Sequence, residues 1–171
     1  MAETQTGVRI ALAAEGSANV ATGLSVLDHL IGELARSGRF RITLEVAPGS
    51  ADEAVASAGR ALGIAFREPL DVVGVAGTGW SLCPADEALA SAALERDEVP
   101  RLISNVDFSD ERVGGLGTDI ASRFLRELAQ GAGLNLHVRL LEGTDPQHVL
   151  AAIFKAVGAA LAMACRPVPT T

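Results

Sequence analysis

The chain has 171 residues, of which 49% are hydrophobic and 20% charged, and its formal net charge at pH 7 is −7. A chain this apolar can bury enough surface to offset its conformational entropy, which excludes intrinsic disorder. The 21 acidic residues outnumber the 14 basic ones, which excludes a nucleic-acid partner, since phosphate neutralisation needs clustered lysines and arginines. We therefore expect residues 1–171 to form a single compact unit.

No segment of the sequence predicts a membrane partner. The most apolar stretch, 151–165, is interrupted by Lys155 and is shorter than the roughly 20 residues that a helix needs to cross a bilayer. No charged segment followed by an apolar one opens the chain, so we expect a cytoplasmic protein. The two cysteines, Cys83 and Cys165, are too few for a disulfide framework.

The sequence repeats itself once. The tripeptide Glu-Leu-Ala at 33–35 recurs at 127–129, an offset of 127 − 33 = 94, and Gly49 recurs as Gly143 at the same offset. Only two copies fit, so the pattern predicts a duplication and excludes a solenoid of many repeats. We expect residues 1–70 to form the first repeat and residues 71–171 the second.

The first copy has the pattern of a strand, a helix, a second strand and a second helix. Apolar residues alternate along 7–14 and 39–46, as in strands with one buried face. They recur at helical spacing along 25–36 and 52–66. The second of these helices begins with two carboxylates, which suit the positive end of its dipole.

The second copy predicts a helix over 118–130, a strand over 133–141 and a helix over 145–164, with Thr144 or Asp145 as the N-cap of the last helix. The order of helix, strand, glycine and helix is thus shared by both copies.

Three stretches between the copies are less regular. Residues 101–108 alternate as a strand does, whereas 71–83 are rich in valine and glycine and fit either strand or loop. Residues 85–94 have helical propensity, although their place between two candidate strands lets tertiary context override it. Together the elements predict a mixed α/β fold, in which the two helices of each repeat cover one face of a sheet.

Four segments carry a family resemblance. They read Thr-Gly-Leu-Ser-Val-Leu-Asp-His-Leu at 22–30, Pro-Ala-Asp-Glu-Ala-Leu-Ala at 84–90, Leu-His-Val-Arg-Leu-Leu-Glu-Gly-Thr-Asp-Pro-Gln-His at 136–148 and Ala-Ile-Phe-Lys-Ala at 152–156. In this order they resemble motifs of the imidazoleglycerol-phosphate dehydratase family, which are lyases of histidine biosynthesis. The resemblance implies two similar α/β halves, and trimers that metal binding joins into larger cages.

The resemblance also implies a chemistry. Members of the family use two manganese ions, held by a histidine of a D-H-M motif, an H-H-x-x-E cluster in each half and a histidine on the first helix of the second half. A histidine and a glutamate three residues apart lie on one face of a helix and can bind one ion together. The ions bind the substrate's imidazole and stabilise its deprotonated form, so that water can leave from the glycerol chain.

This chain departs from the family at most of these positions. His29 matches the D-H-M histidine, but Arg123 stands where the second-half histidine is expected, and the internal repeat pairs it with His29. The first H-H-x-x-E cluster reads Asp-Glu-Ala-Val-Ala at 52–56, and the second reads Gln-His-Val-Leu-Ala at 147–151. Of eight expected ligand positions, only His29 and His148 keep the family's residue.

We expect no metal cofactor, because a guanidinium beside the site disfavours a second cation. A salt bridge of Arg123 with Asp52 or Glu53 would replace the ions, and the protein would act by binding or oligomeric association without dehydratase activity. The alternative is an active lyase with a rebuilt single-metal site for manganese, zinc or iron. Its ligands would be His29, Asp52, Glu53 and His148.

The phosphate-binding end of the family's site is also reduced. Lys155 matches a family lysine and lies two helical turns beyond His148, whereas Val99 occupies the place of a phosphate-binding arginine. One lysine rarely fixes a dianionic phosphate alone. We expect weak binding of a small phosphorylated ligand at Lys155 and a homo-oligomer, either a trimer or a larger cage.

Overall fold

The structure, a computed structural model, describes residues 5–106, 112–113 and 116–169. The first half contains three strands and two helices: β1 (Gly7–Leu12), β2 (Ser17–Ala21), α1 (Ser25–Gly38), β3 (Phe40–Glu45) and α2 (Ala51–Leu70). The second half continues with β4 (Thr78–Ala85), β5 (Ala88–Arg96), β6 (Arg101–Ser104), β7 (Arg112–Val113), β8 (Leu116–Gly117), α3 (Thr118–Ala132), β9 (Leu134–Glu142) and α4 (Pro146–Ala164).

The two main sheets share one topology. The first has the strand order β1-β3-β2, and the second has the order β4-β5-β9-β6. In each, the strand between the two helices is central, with an antiparallel neighbour on one side (β1 or β5) and a parallel neighbour on the other (β2 or β6). Val8 pairs with Leu44 as Ala92 pairs with Val138. The second sheet has one additional strand, β4, outside β5.

The helices lie between the sheets. Each covers a sheet of its own half, and α1 packs on α4 while α2 packs on α3. The core is one continuous cluster in which four phenylalanines are fully buried. Phe40 meets Phe66 edge to face at 5.0 Å, and Phe124 stacks on Phe154 at 5.4 Å. The mixed α/β fold with two sheets and four helices is confirmed.

Glycines let the paired helices approach to backbone contact. A Cβ atom at Gly158 of α4 would lie 2.2 Å from the carbonyl oxygen of Leu34 in α1, and one at Gly63 of α2 would lie 2.4 Å from that of Leu128 in α3. The two crossings are equivalent, since Leu34 and Leu128 are related by the sequence offset of 94. This spacing leaves no room for any side chain at either crossing.

Most predicted elements are confirmed, with ends shifted by a few residues. The stretch 71–83 divides into a loop and strand β4. The helical propensity of 85–94 was misleading: Ala85 ends β4, and residues 88–94 belong to β5, whose alternate residues from Ala88 to Leu94 are buried. Alanine favours helices, but pairing within the sheet determines the secondary structure of this alanine-rich segment. Of the strand expected at 101–108, residues 107–108 lie outside the described residues.

Helix α4 is long enough and apolar enough to span a membrane when only length and composition are considered. However, 67% of its most apolar stretch is buried inside the protein. It is packed against α1, β4 and β5. These contacts explain its apolar composition as that of a core helix. Cys165, which follows it, is buried, and burial raises the pKa of its thiol to about 12.

The helix crossing generates a stability prediction. Gly63→Ala inserts a methyl group against the backbone of α3 and should lower the free energy of unfolding by about 1–3 kcal/mol. Gly32→Ala is the matched control, because its Cβ would meet only the end of the flexible Arg36 side chain at 3.2 Å. That change should be neutral or stabilising by up to about 1 kcal/mol. Urea denaturation measures both, and equal values would contradict the crossing geometry.

Candidate functional site

The loop before α1 fixes the orientation of this helix. Gly23 adopts φ 85°, a conformation that favours glycine. Asp28 then accepts hydrogen bonds from the backbone N–H and the hydroxyl of Thr22, at 3.0 and 2.5 Å. The next residue, His29, is left exposed in the first turns of the helix, with its Nε2 3.8 Å from Glu33 Oε1.

His29 lines a small cavity between the first turns of α1 and α4. The cavity measures about 220 Å³, and α4 contributes Gln147 and Leu150 to it. The two helices start side by side, because they run parallel from this corner to the glycine crossing at Gly158. The position that the family's motif gives to a histidine is thus occupied here by the neutral amide of Gln147.

An equivalent corner lies between the first turns of α2 and α3. Ser50 and Asp145 are the N-caps of α2 and α4, so these helices correspond at an offset of 145 − 50 = 95. Asp52 therefore corresponds to Gln147, and Arg123 to His29. Arg123 Nη1 lies 3.8 Å from Asp52 Oδ1, and both side chains are exposed. The second corner holds an ion pair where the first holds an imidazole and an amide.

Glu53 turns away from Arg123 and caps its own helix. Its Oε2 accepts a hydrogen bond from Ser50 N at 2.9 Å, and the Ser50 hydroxyl accepts one from Glu53 N at 3.2 Å. This reciprocal capping box satisfies two N–H groups at the start of α2. Of the predicted pairing of Arg123 with Asp52 or Glu53, the structure brings only Asp52 within 4 Å.

The imidazole of His148 lies between two carboxylates of the turn that joins β4 and β5. Nδ1 lies 2.5 Å from Glu87 Oε2, and Nε2 lies 3.3 Å from Asp86 Oδ2. Glu87 Oε1 also accepts hydrogen bonds from Thr144 N and Asp145 N, at 3.3 and 2.9 Å. We call Asp86, Glu87 and His148 the acidic clasp. It holds the β4–β5 turn against the first turn of α4.

Contacts within the acidic clasp favour the charged forms of Glu87 and His148. Hydrogen bonds from the backbone N–H of Asp145 and from His148 lower the pKa of Glu87 from 4.5 to about 2. The hydrogen bond with Glu87 raises the pKa of His148 above its ordinary 6.5, and the charges of Asp145, Glu87 and Asp86 add to this. When both ring nitrogens carry protons, each can donate to a carboxylate.

Lys155 is also turned towards β4. Its Nζ donates a hydrogen bond to the carbonyl oxygen of Pro84 at 2.5 Å. The lysine that the resemblance assigns to phosphate thus contacts the same β4–β5 hairpin as His148. Both retained side chains of α4 connect that helix to the hairpin.

The four candidate ligands of a rebuilt metal site do not converge within one chain. His29 lies in the first corner, Asp52 in the second, Glu53 in its capping box and His148 in the acidic clasp. Among the described residues, no group of three or more His, Cys, Asp or Glu side chains is arranged to hold a metal ion. This donor set does not fit the family's two-manganese centre.

Asp86 and Glu87 are site residues that the motif analysis did not single out. They belong to the Pro-Ala-Asp-Glu-Ala-Leu-Ala segment at 84–90. That segment was an available signal, because it matches the family without belonging to its ligand clusters. His148 lies 61 residues beyond Glu87, and the packing of α4 against β4 and β5 brings the turn near this histidine.

Comparisons with known proteins agree with the motifs. The family model described as imidazoleglycerol-phosphate dehydratase matches residues 22–161. The imidazoleglycerol-phosphate dehydratase of Clostridium botulinum (strain Kyoto / Type A2) is 35% identical over 93% of this chain and 83% of its own length. The imidazoleglycerol-phosphate dehydratase of Desulfitobacterium hafniense is 36% identical over 98% of this chain and 87% of its own length.

A solved structure gives the same result for the fold. The crystal structure of imidazoleglycerol-phosphate dehydratase from Staphylococcus aureus superposes with a TM-score of 0.87 at 26% identity, covering 96% of this chain and 95% of that chain. On the family model, the relatives and this structure, the chain belongs to the imidazoleglycerol-phosphate dehydratase family of histidine biosynthesis.

Proposed function

We propose that this protein is a member of the dehydratase family that has lost the two-metal reaction and acts by binding or oligomeric association. The observation that carries the proposal is the ion pair of Arg123 with Asp52 in the second corner, at 3.8 Å. In the equivalent corner His29 lies across from a neutral amide. Neither corner offers the histidine and carboxylate set that two manganese ions need.

Arginine changes the electrostatics of its corner permanently. Its guanidinium stays protonated at all accessible pH values and has no lone pair to give to a metal. A divalent cation at this corner would be repelled by Arg123 and would have to displace it from Asp52. The surface pair itself is worth little free energy, so its effect lies in exclusion of cations.

His148, the second retained histidine, already contacts other side chains of the protein. A metal ligand must present the lone pair of a neutral imidazole nitrogen. In the acidic clasp, both nitrogens of His148 face carboxylates, and its pKa is raised. Metal binding at His148 would therefore require the loss of at least one contact in the clasp.

The remaining features support association and weak anion binding. We infer a cytoplasmic homo-oligomer, a trimer or a larger cage, from the family's assembly. The phosphate of a small ligand would bind to Lys155, but this side chain would first have to break its hydrogen bond with the carbonyl oxygen of Pro84. The family's second phosphate cation is replaced by Val99, so such binding would be weak.

The alternative is an active lyase, and the names of the relatives favour it. The Clostridium and Desulfitobacterium proteins are both called imidazoleglycerol-phosphate dehydratase. In this alternative, His29, Asp52, Glu53 and His148 of neighbouring chains would hold one manganese ion. The ion would stabilise the deprotonated imidazole of the substrate, and Lys155 would bind its phosphate.

A turnover assay separates these functions. We expect no formation of imidazole-acetol phosphate from imidazoleglycerol phosphate with manganese present, because the ligands are missing. Metal analysis of the purified protein should find substoichiometric manganese. The Clostridium botulinum dehydratase, purified and assayed in parallel, is the positive control. Manganese-dependent turnover that disappears in His29→Ala would overturn the proposal and establish the alternative.

The acidic clasp makes a pH prediction. The stabilisation by Glu87 is complete above pH 4.5 and is lost as the pH falls towards its lowered pKa of about 2. The stabilisation by His148 is complete below pH 6.5 and is lost as the pH rises through the raised pKa of this histidine. The clasp should therefore be strongest between these limits, at pH 4.5–6.5.

Nitrogen-15 NMR of the imidazole measures this directly. We expect His148 to titrate above 6.5, and Glu87→Gln to bring its pKa back towards that value. Asp86→Asn is the matched control and should have a smaller effect, since its contact at 3.3 Å is longer than that of Glu87 at 2.5 Å. Titration of wild-type His148 at or below 6.5 would contradict the clasp.

A further inference from the structure

The outer face of the second sheet carries the single tryptophan of the chain. In β4, a Cβ atom at Gly79 would lie 2.0 Å from the carbonyl oxygen of Ala160, and the Ser81 hydroxyl donates a hydrogen bond to Ala156 O at 2.5 Å. Both residues therefore face α4. Because side chains alternate along a strand, Trp80 points away from the helices. It is 68% exposed and stands on the solvent side of the sheet.

Trp80 shares a row of the sheet with an alanine and a histidine. Ala93 of β5 pairs with Trp80 on one side and with His137 of β9 on the other, so the three side chains point to the same face. Neighbouring strands lie about 4.8 Å apart, which places the Cα atoms of Trp80 and His137 about 10 Å from each other. The small Ala93 side chain leaves the space between the two aromatic rings open.

A cavity of about 200 Å³ lies in this row. Its lining includes Trp80, Ala93 and His137, together with Glu95 and Asn135 of the next row. We call this cavity the tryptophan slot. It is smaller than the sites that hold whole drug-sized ligands, and its two aromatic walls suit a single planar group.

Glu95 gives the slot a negative charge. The arginines beside it in the sequence and in its sheet row pair with other carboxylates. Arg96 forms an ion pair with Asp71, and Arg101 lies 3.6 Å from Asp97. The exposed carboxylate of Glu95 is therefore available to a ligand in the slot.

A planar cation fits both the aromatic walls and the carboxylate. Side chains stand roughly perpendicular to a sheet, so a group midway between Trp80 and His137 lies about 5 Å from each ring. The face of an aromatic ring attracts a cation within about 6 Å of its centre. A guanidinium also stacks flat on an indole, and its fork of N–H groups matches a carboxylate. An ammonium group has no plane with which to stack.

We propose that the tryptophan slot binds a guanidinium group between Trp80 and His137, with its N–H groups donating to Glu95. The group belongs either to a small free compound or to an arginine side chain of another protein, and the chemistry of recognition is the same. Arg139 lies in the row beyond His137 and does not line the slot. The inference is independent of whether dehydratase activity is lost, because it uses none of the candidate site residues.

The single tryptophan makes a direct test possible. The chain has no tyrosine, so its fluorescence arises almost wholly from Trp80. The full chain is titrated with butylguanidinium at constant ionic strength and at pH 8, well above the ordinary pKa of an imidazole. We expect a saturable change in emission. Binding should be about fivefold tighter or more than that of pentylammonium, which is charged but not planar, and of butylurea, which is planar but uncharged.

A tripeptide Gly-Arg-Gly with blocked ends, titrated in parallel, distinguishes the two sources of the group. Tighter binding of the tripeptide than of butylguanidinium supports the proposal with a protein side chain as the ligand. Weaker but saturable binding of the tripeptide supports it with a free compound as the ligand.

Two pairs of variants show whether binding takes place in the slot. Glu95→Gln should weaken butylguanidinium binding about fivefold or more, whereas Glu142→Gln changes an exposed glutamate at the end of β9 and should leave it intact. Ala93→Leu fills the slot and should abolish binding, whereas Ser91→Leu, in the next row of β5, should not. Circular dichroism checks the fold of each variant, and Glu95→Gln tests the proposal even where Ala93→Leu does not fold.

Several results would overturn the proposal. They are unchanged wild-type emission with butylguanidinium, equal affinity for pentylammonium, and undiminished binding by Glu95→Gln. Protection of Trp80 from acrylamide quenching in the free protein would also overturn it, because another copy of the chain would then cover the slot.

Discussion

Backbone contact between helices of the two halves sets the geometry of this protein. At Gly158 and Gly63 there is no space for a side chain, because carbonyl oxygens of the partner helices lie against the glycines. The helices of each pair therefore run parallel and start side by side. The first turns of α1 and α4 form one corner, and those of α3 and α2 form the other. The family's motif positions His29 and Gln147 lie in the first corner, and Arg123 and Asp52 lie in the second.

The residues in the corners have changed while the geometry has been kept. The TM-score of 0.87 with the Staphylococcus aureus dehydratase shows the conserved fold. Within it, Arg123 faces Asp52, Gln147 faces His29, and Glu53 caps its own helix. Arg123 and Asp52 pair their charges within the chain, and Glu53 forms hydrogen bonds at the start of its own helix. In the proposed function, these polar contacts of the protein take the place of metal coordination.

Much of the fold was predictable from the sequence, because local periodicity and the repeat offset carry it. The offset of 94 alone pairs His29 with Arg123, and the structure places them at equivalent corners. The acidic clasp was not predictable, since Glu87 and His148 are 61 residues apart and meet only in the tertiary packing of α4 against β4 and β5. Strand β5 was obscured by its alanines, whose helical propensity is overridden by burial between two strands.

The proposed loss of the two-metal centre is tested most directly by diffraction from crystals grown with manganese. Anomalous scattering at the manganese absorption edge locates bound ions without any assumption about activity. This account predicts no ordered manganese at either corner, with Arg123 remaining beside Asp52. Two well-occupied ions between neighbouring chains, with His29 and His148 among their ligands, would contradict it.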